Sequence, residues 1–199
     1  VERFRLNDDP IMYPSIDWRR YLLNKTSVQT QHNLNISGGT KDIRYFISLG
    51  FLYQNGLLKQ FEGVGYDNNY KYKRYNYRAN LDFNVTKTTT LKIGIGGIVG
   101  NRNEPMINDA TNSIWTLINQ TTPFSSPGVI DGKLIVTPEE RFDNKINLGN
   151  SALPKCYGTG YSTAINNTMN LDLLLNQKLD FITKGLSAEI KGAYNTSYG

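Results

Sequence analysis

At 199 residues, 39% hydrophobic and 20% charged with a net charge of +5, the chain is long enough for one domain or for part of a larger one. Its longest apolar runs, such as Leu173-Leu174-Leu175, fall far short of the roughly 20 residues a membrane helix needs, which excludes a helical span but not a β-barrel, where only alternate residues meet lipid. One cysteine, Cys156, and one histidine, His32, exclude an internal disulfide framework and the usual zinc sets.

Residues 1–30 read as an irregular lead-in. Asn7-Asp8-Asp9-Pro10 is a turn signal, and Ser15 is placed to cap a short helix over Ile16 to Leu23 with Asp17 in its first turn. From residue 31 the period becomes two. Gln31, Asn33, Asn35 and Ser37 alternate with His32, Leu34 and Ile36, predicting a strand over 31–38. The next, over 43–53, sets Tyr45, Ile47, Leu49, Phe51 and Tyr53 on one face. The clearest runs over 74–85, with Arg74, Asn76, Arg78, Asn80, Asp82 and Asn84 against Tyr75, Tyr77, Ala79, Leu81, Phe83 and Val85. Over 91–99, Leu91, Ile93, Ile95 and Val99 oppose Lys92, Gly94 and Gly96.

A long connection follows. It holds a second helix candidate over Ala110 to Gln120, the Pro- and Ser-rich stretch 121–128, and a tight-turn signal at Asp131-Gly132. Alternation returns over 168–179, where Met169, Leu171, Leu173, Leu175 and Leu179 share a face, and over 186–198, where Leu186, Ala188, Ile190 and Tyr194 do. The chain begins at Val1 and ends while still alternating, so it is expected to be a piece of a longer polypeptide.

Connections between these six strands alternate short and long, as in outer-membrane barrels with short periplasmic turns and longer extracellular loops. Twelve strand residues reach about 40 Å, which a tilt of about 45° projects to about 28 Å, near the apolar band of such barrels. With the long loops outside, Phe51, Tyr53, Tyr75 and Tyr77 fall at the outer rim and Tyr45 and Phe83 at the periplasmic rim. Phe181 and Tyr194 fall at opposite rims of the last pair. Aliphatic residues lie between. This sorting by depth is what two interfacial girdles require, and it predicts an all-β, antiparallel transmembrane barrel segment. On the opposite face Arg78, Asp82, Asp172, Glu189 and Lys191 are expected to line a lumen. Gly94, Gly96 and Gly100 on that face indicate either strand curvature or the close approach of another backbone.

Several stretches resemble the SusC/RagA family of TonB-dependent outer-membrane transporters. They are Asp17-Trp18, Gln31 to Thr40 (QHNLNISGGT), Tyr45 to Gly50, Gln54-Asn55-Gly56, Arg74-Tyr75-Asn76 through Leu81-Asp82-Phe83, and Leu179 to Leu186. Asn55 departs from the pattern, since an acidic residue is common before that glycine. The resemblance implies part of a plugged barrel of about 22 strands that imports oligosaccharides or peptides in a Bacteroidetes-type bacterium. It further implies a SusD-like surface lipoprotein as partner and outer-membrane lipid around the wall. TonB would be engaged through an N-terminal region outside this stretch.

No catalytic set, cofactor or metal site is expected. His32 sits among asparagines, Asp8-Asp9 and Glu139-Glu140 are adjacent pairs that rarely converge on one bond, and Cys156 reads as an unreactive thiol. Lys71, Lys73 and Arg74, interleaved with tyrosines at the outer rim, suggest contact with lipopolysaccharide phosphates. The mixed charges elsewhere argue against nucleic acid. Trp115, Phe124, Tyr157 and Tyr161 in the long loop are candidates for stacking on a ligand. A soluble β-sandwich that binds glycans and a small independent outer-membrane barrel are the competing readings.

Overall fold

The computed structural model describes residues 2–6, 8–107, 113–135 and 151–199. In chain order the elements are α1 (Glu2–Leu6), α2 (Trp18–Leu22), β1 (Gln29–Gly39), β2 (Ile43–Asn55), β3 (Lys71–Asn84), β4 (Thr89–Pro105), α3 (Ile114–Gln120), β5 (Val129–Ile130), β6 (Lys133–Leu134), α4 (Ala152–Tyr157), β7 (Tyr161–Lys178) and β8 (Ser187–Tyr198). They belong to two compact units. One is a sheet built from 29–54, 72–102 and 164–199, and the other comprises 1–28, 55–71 and 103–163.

The sheet has six strands in the order β1-β2-β3-β4-β7-β8, so every neighbour but β7 follows its partner directly in sequence. It is antiparallel and open, with β1 and β8 as its edges. The strands run 11 to 18 residues, far beyond the usual 5–6. The register keeps each apolar set on one face. Leu34 pairs with Leu49 and Ile36 with Ile47 at one edge, and Leu171 pairs with Tyr194 and Leu175 with Ile190 at the other.

The apolar face is not covered. Leu34 is 55% exposed, Leu49 49% and Ile190 71%. A sandwich would bury these side chains under a second sheet, yet among the described residues the one other sheet is the two-residue pair β5-β6.

One rim is closed by tight turns with local donors and acceptors. The Thr40 amide donates to the Ile43 carbonyl at 2.7 Å, and the Thr86 hydroxyl accepts from the amides of Thr88 and Thr89. In the last turn the Gly185 amide donates to the Asp180 carboxylate at 2.8 Å. Such side-chain caps let a chain reverse without a neighbouring element.

Glycines facing tyrosines are a second organising device. A Cβ on Gly97 would lie 2.5 Å from both the Tyr77 hydroxyl and the Thr168 carbonyl, and one on Gly38 would lie 2.6 Å from the Tyr45 hydroxyl. Tyr77 and Tyr45 therefore lie across glycines on the adjacent strand. Gly94 and Gly96 are different. Cβ atoms there would meet neighbours at 3.5 and 3.4 Å, ordinary contact, so crowding within the sheet does not require glycine at either position.

The other unit has its own core of Trp18, Leu22, Leu58, Leu117, Ile118, Ala152, Leu153, Cys156 and Tyr157. The lead-in is thus not a separate irregular stretch. It contributes Trp18 and Leu22 to a core completed by both long connections. Helix α2 is capped by Asp17, whose carboxylate accepts from the Arg20 amide at 3.2 Å, two residues after the expected Ser15 cap. Helix α3 begins at Ile114 behind a Ser113 cap, so its first turn falls after the expected start; 110–112 lie outside the described residues. Asp131 and Gly132 both have positive φ, 49° and 73°, the type I′ turn that their order in the sequence signals.

The glycine geometry separates two substitutions. In the full-length protein, Gly97→Leu forces Tyr77 and the β7 backbone to move and should cost about 1–3 kcal/mol, seen as a lower thermal midpoint. Gly94→Ala should leave the midpoint unchanged. Equal melting of the two variants would show that glycine at position 97 has no packing role.

Candidate functional site

On the polar face of the sheet, Ser48 of β2, Arg74, Asn76 and Arg78 of β3, Gly96 of β4, and Thr168 and Asn170 of β7 border a recess of about 420 Å³. The pleat places even-numbered residues of β2, β3, β4 and β7 on this side, so four strands converge on it. Lower on the same face Arg44 bonds Asp82 at 3.2 Å, and Asp172 flanks Gly94. Arg44 was not among the expected lumen residues. Its parity with Ser48 is the signal that would have found it.

The apolar face carries Tyr45, Phe51, Tyr53, Tyr75, Tyr77, Phe83 and Tyr194, while Phe181 lies in the turn between β7 and β8. The rings of Phe51 and Tyr75 lie 5.1 Å apart, and His32 stacks on Phe51 at 6.5 Å with planes 10° apart. Together with Leu34, Leu49 and Tyr77 they border an apolar recess. Tyr45, Phe83, Phe181 and Tyr194 are exposed, and Tyr53 is half-buried.

The three basic residues expected to meet lipopolysaccharide lie in different local surroundings. Lys71 is tied to the carboxylate of Asp67. Lys73 and Arg74 are consecutive strand residues and point to opposite faces. Arg74 borders the polar recess beside Asn76 and Arg78.

The loop aromatics also divide. Tyr157 is 1% exposed, its hydroxyl donates to the Lys59 carbonyl at 2.7 Å, and its ring packs edge-on against Phe61 at 5.1 Å. It is a core residue and has no face free for a ligand. Trp115 and Tyr161 are 49% and 50% exposed, and Tyr161 leans on Tyr66 at 5.9 Å. The Tyr66 hydroxyl donates to the Tyr157 carbonyl at 2.5 Å and accepts from the Gly160 amide at 3.0 Å, which fixes the ring under Tyr161. Tyr66 is a residue the sequence reading missed, because nothing in the order of the first long connection separates it from its neighbours. Phe124 is 41% exposed and packs 5.9 Å from Phe4.

The thiol of Cys156 is buried, and burial pushes its pKa from 9.0 to about 12. Burial likewise raises the Tyr157 phenol, with Coulombic contributions from Cys156 and Tyr21 in the same direction. Asp9 accepts from the amides of Ile11 and Met12 at 3.1 Å, a turn contact, while Glu139 and Glu140 lie outside the described residues. Among the described residues no three His, Cys, Asp or Glu side chains are grouped to hold a metal ion, and no helix is long and apolar enough to cross a membrane. The second statement says nothing of a β-barrel.

Known proteins give a consistent picture. No protein-family model matches the sequence. The TonB-dependent receptor SusC of Bacteroides thetaiotaomicron is 26% identical over 125 residues, covering 56% of this chain and 12% of SusC. A chain of the RagAB peptide importer in its closed-closed state superposes over 97% of this chain with a TM-score of 0.61 and 16% identity. A RagAB peptide transporter structure superposes over 94% with a TM-score of 0.60 and 16% identity. In each RagAB comparison the match spans 20% of the longer chain.

The buried thiol gives a direct check. In the native full-length protein Cys156 should resist maleimide and react once denatured, with peptide mapping to locate the label. Because its folded pKa lies above its unfolded value, its contribution to stability is complete below pH 9.0 and is lost as pH rises towards about 12. Rapid native labelling at neutral pH would mean that the core around α4 is open.

Proposed function

We propose that this chain, a SusC/RagA-like segment of barrel architecture, forms part of the outer-membrane wall of a TonB-dependent importer. The observation that carries the reading is the uncovered apolar face of strands 11 to 18 residues long, with aromatic residues at its two ends. In water such a face is an aggregation hazard and its edge strands are unpaired. In a bilayer it is matched to acyl chains and headgroups. The polar, partly charged opposite face then lines the lumen, with Arg78, Asp82, Asp172, Glu189 and Lys191 in contact with water or with polypeptide inside the barrel.

The role is transport, not catalysis. Oligosaccharides or peptides are the ligand classes, and a SusD-like lipoprotein is the partner at the outer surface. Support comes from the SusC and RagAB likenesses and from the exposed aromatics of the long connections. TonB coupling is assigned to parts of the polypeptide outside these residues. A sandwich module is disfavoured because no second large sheet among the described residues covers the apolar face.

Two measurements test this. An antibody against residues 54–73 should detect, in the outer-membrane fraction, a band several times heavier than the 22.5 kDa of this segment, and that band should migrate faster when left unboiled. A soluble 22.5 kDa band would overturn the reading. In the intact protein, Trp115→Ala and Tyr161→Ala should each weaken ligand binding by about 1 kcal/mol, roughly fivefold, if their rings stack on the ligand. Unchanged affinity in both would remove these rings from the binding surface.

A further inference from the structure

The recess on the polar face has a charge that its own walls do not balance. Arg74 and Arg78 both border it, four residues apart on one face of β3, and no Asp or Glu is among its lining residues. Nearby acids are placed elsewhere. Asp82 is bonded to Arg44, and Asp172 flanks Gly94. Among the described residues neither Arg74 nor Arg78 has an ion-pair partner.

Hydrogen bonding is incomplete at the same spot. Nε of Arg74 and Oδ1 of Asn76 are shielded from water and have no partner, although buried polar atoms rarely remain single. A guanidinium edge with a free Nε suits one acceptor in particular, a planar carboxylate that takes two parallel N–H bonds. Ser48, Asn76, Thr168 and Asn170 add neutral hydrogen-bonding groups around it. Backbone amides of the flanking strands are committed to the ladder, so the recess has no amide nest for the third oxygen of a phosphate. Tyr77, Gly96, Gly97 and Ile98 complete the lining.

We propose that this recess is a carboxylate-binding station on the lumen face, with Arg74 and Arg78 as its paired guanidiniums. The inference rests on the reading of this face as lumen lining and deepens it by assigning a ligand chemistry. Two sources supply that group: an acidic ligand in transit, or an Asp or Glu from another part of the same polypeptide.

Phenylglyoxal modification of the full-length protein, followed by peptide mapping, reads the two arginines directly. Tetraglutamate is the acidic probe and tetraglutamine amide the neutral control. If the arginines react in the free protein and tetraglutamate slows them at least tenfold while the control does not, the carboxylate belongs to a ligand in transit. If both resist modification, the R74Q/R78Q double variant melts lower and R74K/R78K recovers most of the loss, the carboxylate is the polypeptide's own. Reactive arginines without protection by tetraglutamate overturn the proposal. So do resistant arginines whose Gln and Lys variants melt alike. Unboiled migration of the same preparations reports barrel formation separately, so a failed station is distinguishable from a failed barrel.

Discussion

Everything in the sheet depends on one geometric constraint: successive side chains of a strand point to opposite faces. The backbone amides and carbonyls are satisfied by neighbouring strands, which leaves the two faces free to meet different surroundings. Here one face is aliphatic with aromatic residues and the other is mostly polar, rich in Asn, Ser, Arg and Asp. Neither could shift by one residue without exchanging the two. The register of Leu34 with Leu49 and of Leu175 with Ile190 shows the constraint held at both edges of the sheet.

That constraint also explains what was legible in the amino-acid order. A period-two signal is local and survives even where a segment is noisy, so the six strands, their turns and their faces could be read directly. Strand ends were less legible. β4 reaches Pro105 and β7 starts at Tyr161, beyond the regions where alternation is clean, because pairing with a neighbouring strand extends a ladder past its own side-chain pattern. The Asp131-Gly132 turn was legible because both residues tolerate positive φ.

The second unit was largely hidden, for a physical reason. Its helices are five to seven residues long, too short to display a period of 3.6. Its core unites Trp18, Leu58, Leu117 and Leu153 from widely separated stretches. No local pattern announces such a core. Tyr157 therefore looked like a free loop aromatic although it is among the most buried side chains, and Tyr66, which fixes Tyr161, was overlooked. The basic residues show the converse effect. Lys73 and Arg74 are adjacent in sequence, and the pleat separates them because they are adjacent.

The tyrosine laid across Gly38 has a genetic consequence. A Cβ at Gly38 would meet the Tyr45 hydroxyl oxygen at 2.6 Å, so a side chain there requires the exposed Tyr45 ring to swing aside. Shortening Tyr45 opens that space, so the two positions form an epistatic pair across the β1-β2 ladder, where they are direct partners. Selection acting on either residue is therefore felt through the other, and a shorter residue at position 45 eases the replacement of Gly38 by anything larger.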